Sequence, residues 1–190
     1  AGLAEIGVSD HAPWPEDYDT EFRMSDSEYE DYLRIVRDLQ EQGSKVKVRL
    51  GMEVDWVPGR MELARAKILS ADFDYIIGSV HYIGGFPFDN PQMLHEWEIP
   101  GRADWIWENY ASLLADYIKD FDFEIIGHAD LPKKFGHFPC DRKKFMEKMD
   151  YAFELAGNRN MSIEINTAGL RKPVHEIYPS PEILKLAKAR

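Results

Sequence analysis

The sequence predicts an α/β fold built on a parallel sheet, and three observations carry that expectation. Short apolar runs rich in Val, Ile, Phe and Tyr take turns with longer segments of helical period. The runs are apolar almost throughout, as strands are when a sheet is covered on both faces or closed into a barrel. No repeat, low-complexity tract or Gly/Ser-rich linker interrupts the alternation, so residues 1–190 read as one domain. Strands separated by helices imply right-handed parallel crossovers.

Taken in order, the expected strands are Ile6–Asp10, Val46–Val54, Phe73–Val80, Phe123–Gly127 and Ser162–Asn166. The first expected helix is Ser25–Gln42, with Tyr29, Leu33, Val36 and Leu39 at helical spacing, and Ser25-Asp-Ser-Glu28 reads as a capping box at its start. Met61–Ser70, Asp104–Lys119, Arg142–Ala156 and the terminal Pro181–Arg190 are the other helices. The connection Tyr82–Ala103 is too long for an ordinary loop and carries Gly84-Gly85, Pro87, Pro91, Pro100 and Gly101. Its aromatic residues Phe86, Phe88 and Trp97 argue for a packed lid or substrate loop rather than a disordered insertion.

Composition narrows the function. With 44% hydrophobic and 13% aromatic residues, the chain can bury one substantial core. A net charge of −11 opposes binding to polyanions, which makes a nucleic-acid partner unexpected. One cysteine, Cys140, excludes an intramolecular disulfide framework. The longest apolar stretches, such as Tyr75–Val80, are far shorter than a membrane span, so no membrane partner and a cytoplasmic location are expected. Ala1 follows no initiator Met, and the last helix stops without a capping residue, so both ends are expected to be cuts.

The chemistry gathers where strands end. Ser9-Asp10-His11 closes the first, Gly51-Met52-Glu53-Val54-Asp55 lies in the second, Gly78-Ser79-Val80-His81 closes the third and Gly127-His128-Ala129-Asp130 the fourth. In a parallel barrel such ends open on one face, where active sites are built. Any one of these residues alone is an ordinary core or surface residue; three His and one Glu at equivalent positions point to a metal site. Asp10 and Asp55 flank the candidate ligands and would orient an imidazole or hold a bridging water. His95, His137 and His175 end no strand and are expected to be solvated or to pack in loops. Lys133-Lys134 and Arg171-Lys172 are basic spots just beyond strand ends, suited to an anionic substrate, and Arg can grip phosphate with two parallel hydrogen bonds. Spacing alone equally allows exposed loop bases.

These segments together carry a resemblance. Ile-Gly-Val-Ser-Asp-His-Ala-Pro, Leu-Gly-Met-Glu-Val-Asp-Trp, Asp-Tyr-Ile-Ile-Gly-Ser-Val-His-Tyr-Ile, Ile-Ile-Gly-His-Ala-Asp-Leu-Pro-Lys-Lys-Phe-Gly and Ile-Glu-Ile-Asn-Thr-Ala-Gly-Leu-Arg-Lys-Pro-Val-His-Glu-Ile-Tyr-Pro-Ser follow one another along the chain. In that order they resemble the histidinol-phosphatase branch of the PHP (polymerase and histidinol phosphatase) metallohydrolase family. The resemblance implies a distorted seven-stranded (β/α) barrel, here incomplete with about five strands, and up to three divalent metals. Glu53 would bridge two metals, His81 and His128 would bind the second of them, and His11 the third. Arg171 resembles the family's phosphate-gripping arginine, and Lys133 stands roughly at another basic phosphate contact. Glu53 and Asp10 are the candidate catalytic carboxylates.

The family's opening His-x-His strand and its closing Gly-Ser-Asp-Ala-His segment are absent from this sequence. The expectation that follows is a nearly intact one-metal set of Glu53, His81 and His128, with this chain alone nearly inactive. The implied reaction is metal-dependent hydrolysis of the phosphomonoester L-histidinol phosphate in histidine biosynthesis. Imidazole and carboxylate donors suit Zn, Mn or Fe alike. The alternatives are a family member acting on nucleotides or oligonucleotides, which would want a basic groove, and a metal-binding fragment without turnover. The oligomeric state is left open.

Overall fold

The computed structural model describes residues 2–14, 22–43 and 45–190. The chain packs into two compact units, Ala1–Ile77 and Gly78–Arg190.

The first unit runs β1 (Glu5–Val8), α1 (Asp26–Glu41), β2 (Lys47–Asp55), α2 (Met61–Leu69) and the opening residues of β3 (Tyr75–Ser79). β1 and β2 pair in parallel, from Glu5↔Lys47 to Val8↔Leu50, with α1 as the crossover between them. The expected capping box starts α1: the Ser25 hydroxyl accepts the Glu28 N–H, and the Glu28 carboxylate accepts the Ser25 N–H at 2.7 Å. That backbone bond from Ser25 holds the Glu28 carboxyl below its ordinary pKa. Tyr29, Leu33 and Val36 form the buried face of α1, as their spacing predicts, whereas Leu39 at the same spacing stands exposed.

Leu50, Met52 and Val54 of β2 are buried, on one side of the strand, and make the centre of this unit. β1 departs from the expected doubly covered strand. It is the end strand of its sheet, and Ile6 is 41% exposed. Gly7 and Gly51 lie under the ring of Tyr75, which a Cβ at either position would strike. Glycine at these two places leaves room for the phenol end of Tyr75 against the β1–β2 pair.

The second unit continues from the end of β3 through the hairpin β4 (Tyr82–Ile83) and β5 (Phe86–Pro87), α3 (Leu94–Trp97), α4 (Arg102–Asp120), β6 (Ile125–Ile126), α5 (Arg142–Asn158), β7 (Ser162–Ile163) and α6 (Pro181–Lys188). β6 and β7 are parallel neighbours, and β6 lies beside β3, so the strand order is β1-β2-β3-β6-β7. All five expected strands are present. Those expected at Phe123–Gly127 and Ser162–Asn166 are shorter, two residues each. In the latter the chain leaves its neighbour because Asn166 instead exchanges backbone hydrogen bonds with Tyr178, at 2.7 and 2.9 Å.

Helix α4 carries the core of this unit, with Ile106, Tyr110, Ala111, Tyr117 and Ile118 at zero exposure. The connection 82–103 is not structureless. It folds into the β4–β5 hairpin, a 3-10 turn at Pro91–Met93 and α3. Its aromatic residues explain why: Phe88 and Trp97 are buried, and the Trp97 indole N–H donates to the Phe88 carbonyl at 2.9 Å.

Candidate active site

His11, His81 and His128 sit just past the C-terminal ends of their strands, and Glu53 lies two residues before the end of β2. In the first unit, the β1–β2 pairing stops at Val8 and resumes as a single bridge between His11 and Glu53. The Glu53 N–H donates to the Asp10 carbonyl at 2.9 Å, and the Ala12 N–H to the Glu53 carbonyl at 2.8 Å. This register puts His11 Nε2 3.9 Å from Glu53 Oε2. Metal–ligand bonds of roughly 2.0–2.2 Å place donor atoms of a shared ion about 3–4 Å apart, so the pair has the spacing and the donor types of two ligands on one ion.

Asp10 turns its carboxylate onto the His11 N–H at 2.7 Å and is exposed. Asp55, at the end of β2, is fully buried and paired with the guanidinium of Arg23, itself almost entirely covered. Sequence reading singled out Asp55 but not Arg23, which lies 32 residues away from it.

In the second unit, His81 follows β3 and His128 follows β6. Their rings meet edge to face with centroids 4.8 Å apart, and both residues are 8% exposed. Two imidazoles this close and this buried form a fitting nitrogen-donor pair for a divalent metal. The main chain around His128 is braced on both sides: its N–H donates to Glu164 Oε2 at 3.0 Å, and its carbonyl accepts the Tyr110 hydroxyl at 3.2 Å. Complete burial drives the Tyr110 phenol pKa well up, which keeps that hydroxyl a donor. Glu164 was missed by sequence reading. Its one signal is a lone acid within the apolar run Ile163-Glu164-Ile165.

The basic residues fall into two groups. Lys133 is buried, with its ammonium 2.9 Å from Asp130 Oδ2, 2.6 Å from Glu176 Oε2 and 2.7 Å from the Ile177 carbonyl. Burial raises the Asp130 carboxyl above its ordinary range, against the pull of Lys133 and of the Ser180 N–H that donates to it at 2.7 Å. Lys134 bonds to the carbonyl and carboxylate of Asp89, at 2.6 and 2.9 Å, and so ties the 82–103 connection to the turn after His128. Arg171, by contrast, ends the 3-10 turn Thr167–Arg171 in an exposed position. That turn is capped by the Asn166 side chain, which accepts the Ala168 N–H at 2.8 Å.

The remaining histidines are solvated or packed, as expected, although His95 stands in the short helix α3 rather than in a loop. His95 is exposed beside Glu96, His137 stacks on Trp97 with centroids 5.2 Å apart, and His175 is exposed on a turn.

Comparison with known proteins adds the following. The family model of the PHP domain matches residues 1–168. The chain is 35% identical over 191 residues to the "Probable histidinol-phosphatase" of Deinococcus radiodurans, covering all of this chain and 72% of that protein. It is 25% identical over 193 residues to the "Histidinol-phosphatase" of Lactococcus lactis subsp. lactis, covering 98% of this chain and 69% of that one.

Among solved structures, hisK from Listeria monocytogenes superposes with a TM-score of 0.88 at 23% identity, covering 99% of this chain and 80% of that one. The histidinol phosphate phosphatase of Lactococcus lactis, complexed with Zn, L-histidinol and phosphate, gives a TM-score of 0.80 at 20% identity, over 99% of this chain and 70% of that one. These structures share the fold, an α/β barrel of PHP type of which the described residues present five sheet strands. Extended over 168 residues by the family model and over the full chain by a relative at 35% identity, the match leads to one conclusion: the chain belongs to the PHP domain family.

Proposed function

We infer that the chain is a metal-dependent phosphomonoester hydrolase and that its ester is histidinol phosphate, split to histidinol and phosphate in histidine biosynthesis. The observation that carries this reading is the match along the whole chain, at 35% identity, to a relative named as a histidinol-phosphatase. The Zn, L-histidinol and phosphate held by the Lactococcus lactis protein support both the metal and the substrate class.

In this proposal Glu53, His81 and His128 hold one ion, and His11 joins Glu53 on another. The number of ions, up to three, and their identity as Zn, Mn or Fe belong to the same proposal. A bound divalent ion lowers the pKa of coordinated water to about 7 and draws charge from phosphoryl oxygens. Asp10, held beside His11 by the hydrogen bond from the His11 N–H, orients that end of β1 and accepts a proton from the attacking water. Arg171 grips the phosphoryl group. Lys133 is the second proposed phosphate contact, and reaching a phosphate would require it to exchange one of the three oxygens it now holds.

The excess of 34 acidic over 23 basic residues favours a small substrate over a nucleic acid. No described helix is long and apolar enough to cross a membrane. A cytoplasmic location goes with the reading. The test is phosphate release from histidinol phosphate and from a panel of nucleoside monophosphates, each with added Mn²⁺ or Zn²⁺, by this chain and by a version supplied with the family's opening His-x-His strand and closing segment, in which turnover is expected. The expected result is a kcat/KM for histidinol phosphate more than about tenfold above the best nucleotide, the discrimination that about 1.4 kcal/mol of transition-state binding provides. Equal or better use of nucleotides would replace this reading with the nucleotide phosphoesterase.

A further inference from the structure

The lapse in the β1–β2 ladder has an occupant. Parallel strands exchange evenly spaced hydrogen bonds, and the pairing from Glu5↔Lys47 to Val8↔Leu50 would continue without change of register to His11↔Glu53. It does not: Ser9 and Asp10 are left out of the pairing, although the Asp10 carbonyl still accepts the Glu53 N–H at 2.9 Å. The hydroxyl of Tyr32, reaching in from α1, lies there, 2.8 Å from the Val8 carbonyl and 2.6 Å from the Gly51 carbonyl. The backbone N–H of Asp10 is close enough to favour the phenolate form of the same ring, against the larger effect of burial. In an unbroken parallel ladder Asp10 N–H would go to Gly51 directly. Here the hydroxyl stands within hydrogen-bond distance of a carbonyl on each strand, in the place of that rung.

Three residues past Val8 stands His11, and two past Gly51 stands Glu53. The inserted hydroxyl therefore sits immediately before the point where both strands present their side chains. Asp10, whose carbonyl still accepts the Glu53 N–H at 2.9 Å, is also the residue whose carboxylate caps the His11 N–H at 2.7 Å. We propose that Tyr32 is a positioning residue: by replacing one rung of the β1–β2 ladder, its hydroxyl holds the two strand ends so that His11 and Glu53 stand at the 3.9 Å spacing of ligands on one ion. The inference rests on the reading of His11 and Glu53 as metal ligands. Tyr32 touches neither side chain in that account and acts through the backbone.

The experiment is a Co²⁺ titration of this chain, followed by visible absorption and calorimetry, on wild type, Tyr32→Phe and Glu53→Gln. Tyr32→Phe keeps the ring and removes only the inserted hydroxyl. It is expected to weaken Co²⁺ binding by about 10-fold or more, the scale seen when a group supporting a ligand is lost, and to change the d–d absorption of the bound ion. Exchange of the Asp10 amide should slow in the same variant as the rung to the Gly51 carbonyl closes. A purely structural role would lower the melting temperature and leave affinity and spectrum unchanged.

Should Tyr32→Phe fail to fold, 4-methylphenylalanine at this position fills the hydroxyl's volume without a donor, and 4-aminophenylalanine restores one. Only the second should bind Co²⁺ within about threefold of wild type, since the donor alone distinguishes them. Wild-type affinity in the donor-less variants would overturn the role of Tyr32 while leaving the metal reading intact. Wild-type chain that binds no Co²⁺, or binds it equally with Glu53→Gln, would overturn the metal reading and this proposal together.

Discussion

Asp74 shows how much one carboxylate can organise. Its Oδ2 accepts the Leu50 N–H at 2.8 Å and the Gln40 amide at 3.1 Å, while Oδ1 takes the Arg49 guanidinium at 3.0 Å. Partial burial disfavours its charge, but the Leu50 N–H and Arg49 outweigh that and hold the pKa below the ordinary value of 3.8. A depressed carboxyl contributes stability that is full above its unfolded-state pKa and is lost as pH falls through the folded one. Asp74→Ala should therefore destabilise by about 1–3 kcal/mol at pH 7. The gap to wild type should shrink once the pH drops below about 4, as followed by calorimetric melting across that range. Lys133 and Arg171 make a contrasting pair. Lys133→Met would leave Asp130 and Glu176 without their shared ammonium and is expected to cost about 3–5 kcal/mol of stability in urea unfolding. Arg171→Ala should leave the melting curve in place and lower kcat/KM by about 1.5–3 kcal/mol, the range for hydrogen bonds to a charged group. A shifted melting curve with intact kinetics would make Arg171 a structural residue instead.

Elements were legible where the signal is local. The capping box of α1 could be read from Ser25 and Glu28 because both partners lie within one turn. Each expected strand and helix exists because its apolar period is written in a few consecutive residues. The parts that could not be read depend on partners far along the chain. Arg23 meets Asp55 across 32 residues, Glu164 supports His128 across 36, and Tyr32 bridges to Val8 and Gly51 across 24 and 19. The exposure of β1 was also hidden, since an apolar run looks the same at the end of a sheet as in its middle. The 82–103 connection was half legible: its aromatic content announced packing, but not the hairpin, nor the Lys134–Asp89 tie that anchors it. Lys134→Met should release that anchor. Limited proteolysis is expected to cut within residues 82–103 severalfold faster, with KM rising more than kcat falls if the connection closes over substrate. Unchanged cleavage would show that Phe88 and Trp97 hold the segment without help.

For the molecule as a whole, activity should depend on metal in a reversible way. Dialysis against a chelator is expected to abolish phosphate release, and Mn²⁺ or Zn²⁺ to restore it, with the far-ultraviolet circular dichroism unchanged because the core of each unit is built from apolar side chains. Retained turnover after chelation would remove metals from the mechanism. The exposure of Ile6 on β1, the end strand of the sheet among the described residues, has a consequence for handling the protein that is colloidal rather than catalytic. An end strand that leaves Ile6 open to solvent can template pairing with a second chain, and what keeps such chains apart is mutual repulsion. The charge of −11 supplies it at neutral pH, and it vanishes near the isoelectric point of about 5.0. Light scattering should then rise as the pH approaches 5, rise further with added salt that screens what charge is left, and fall again on either side.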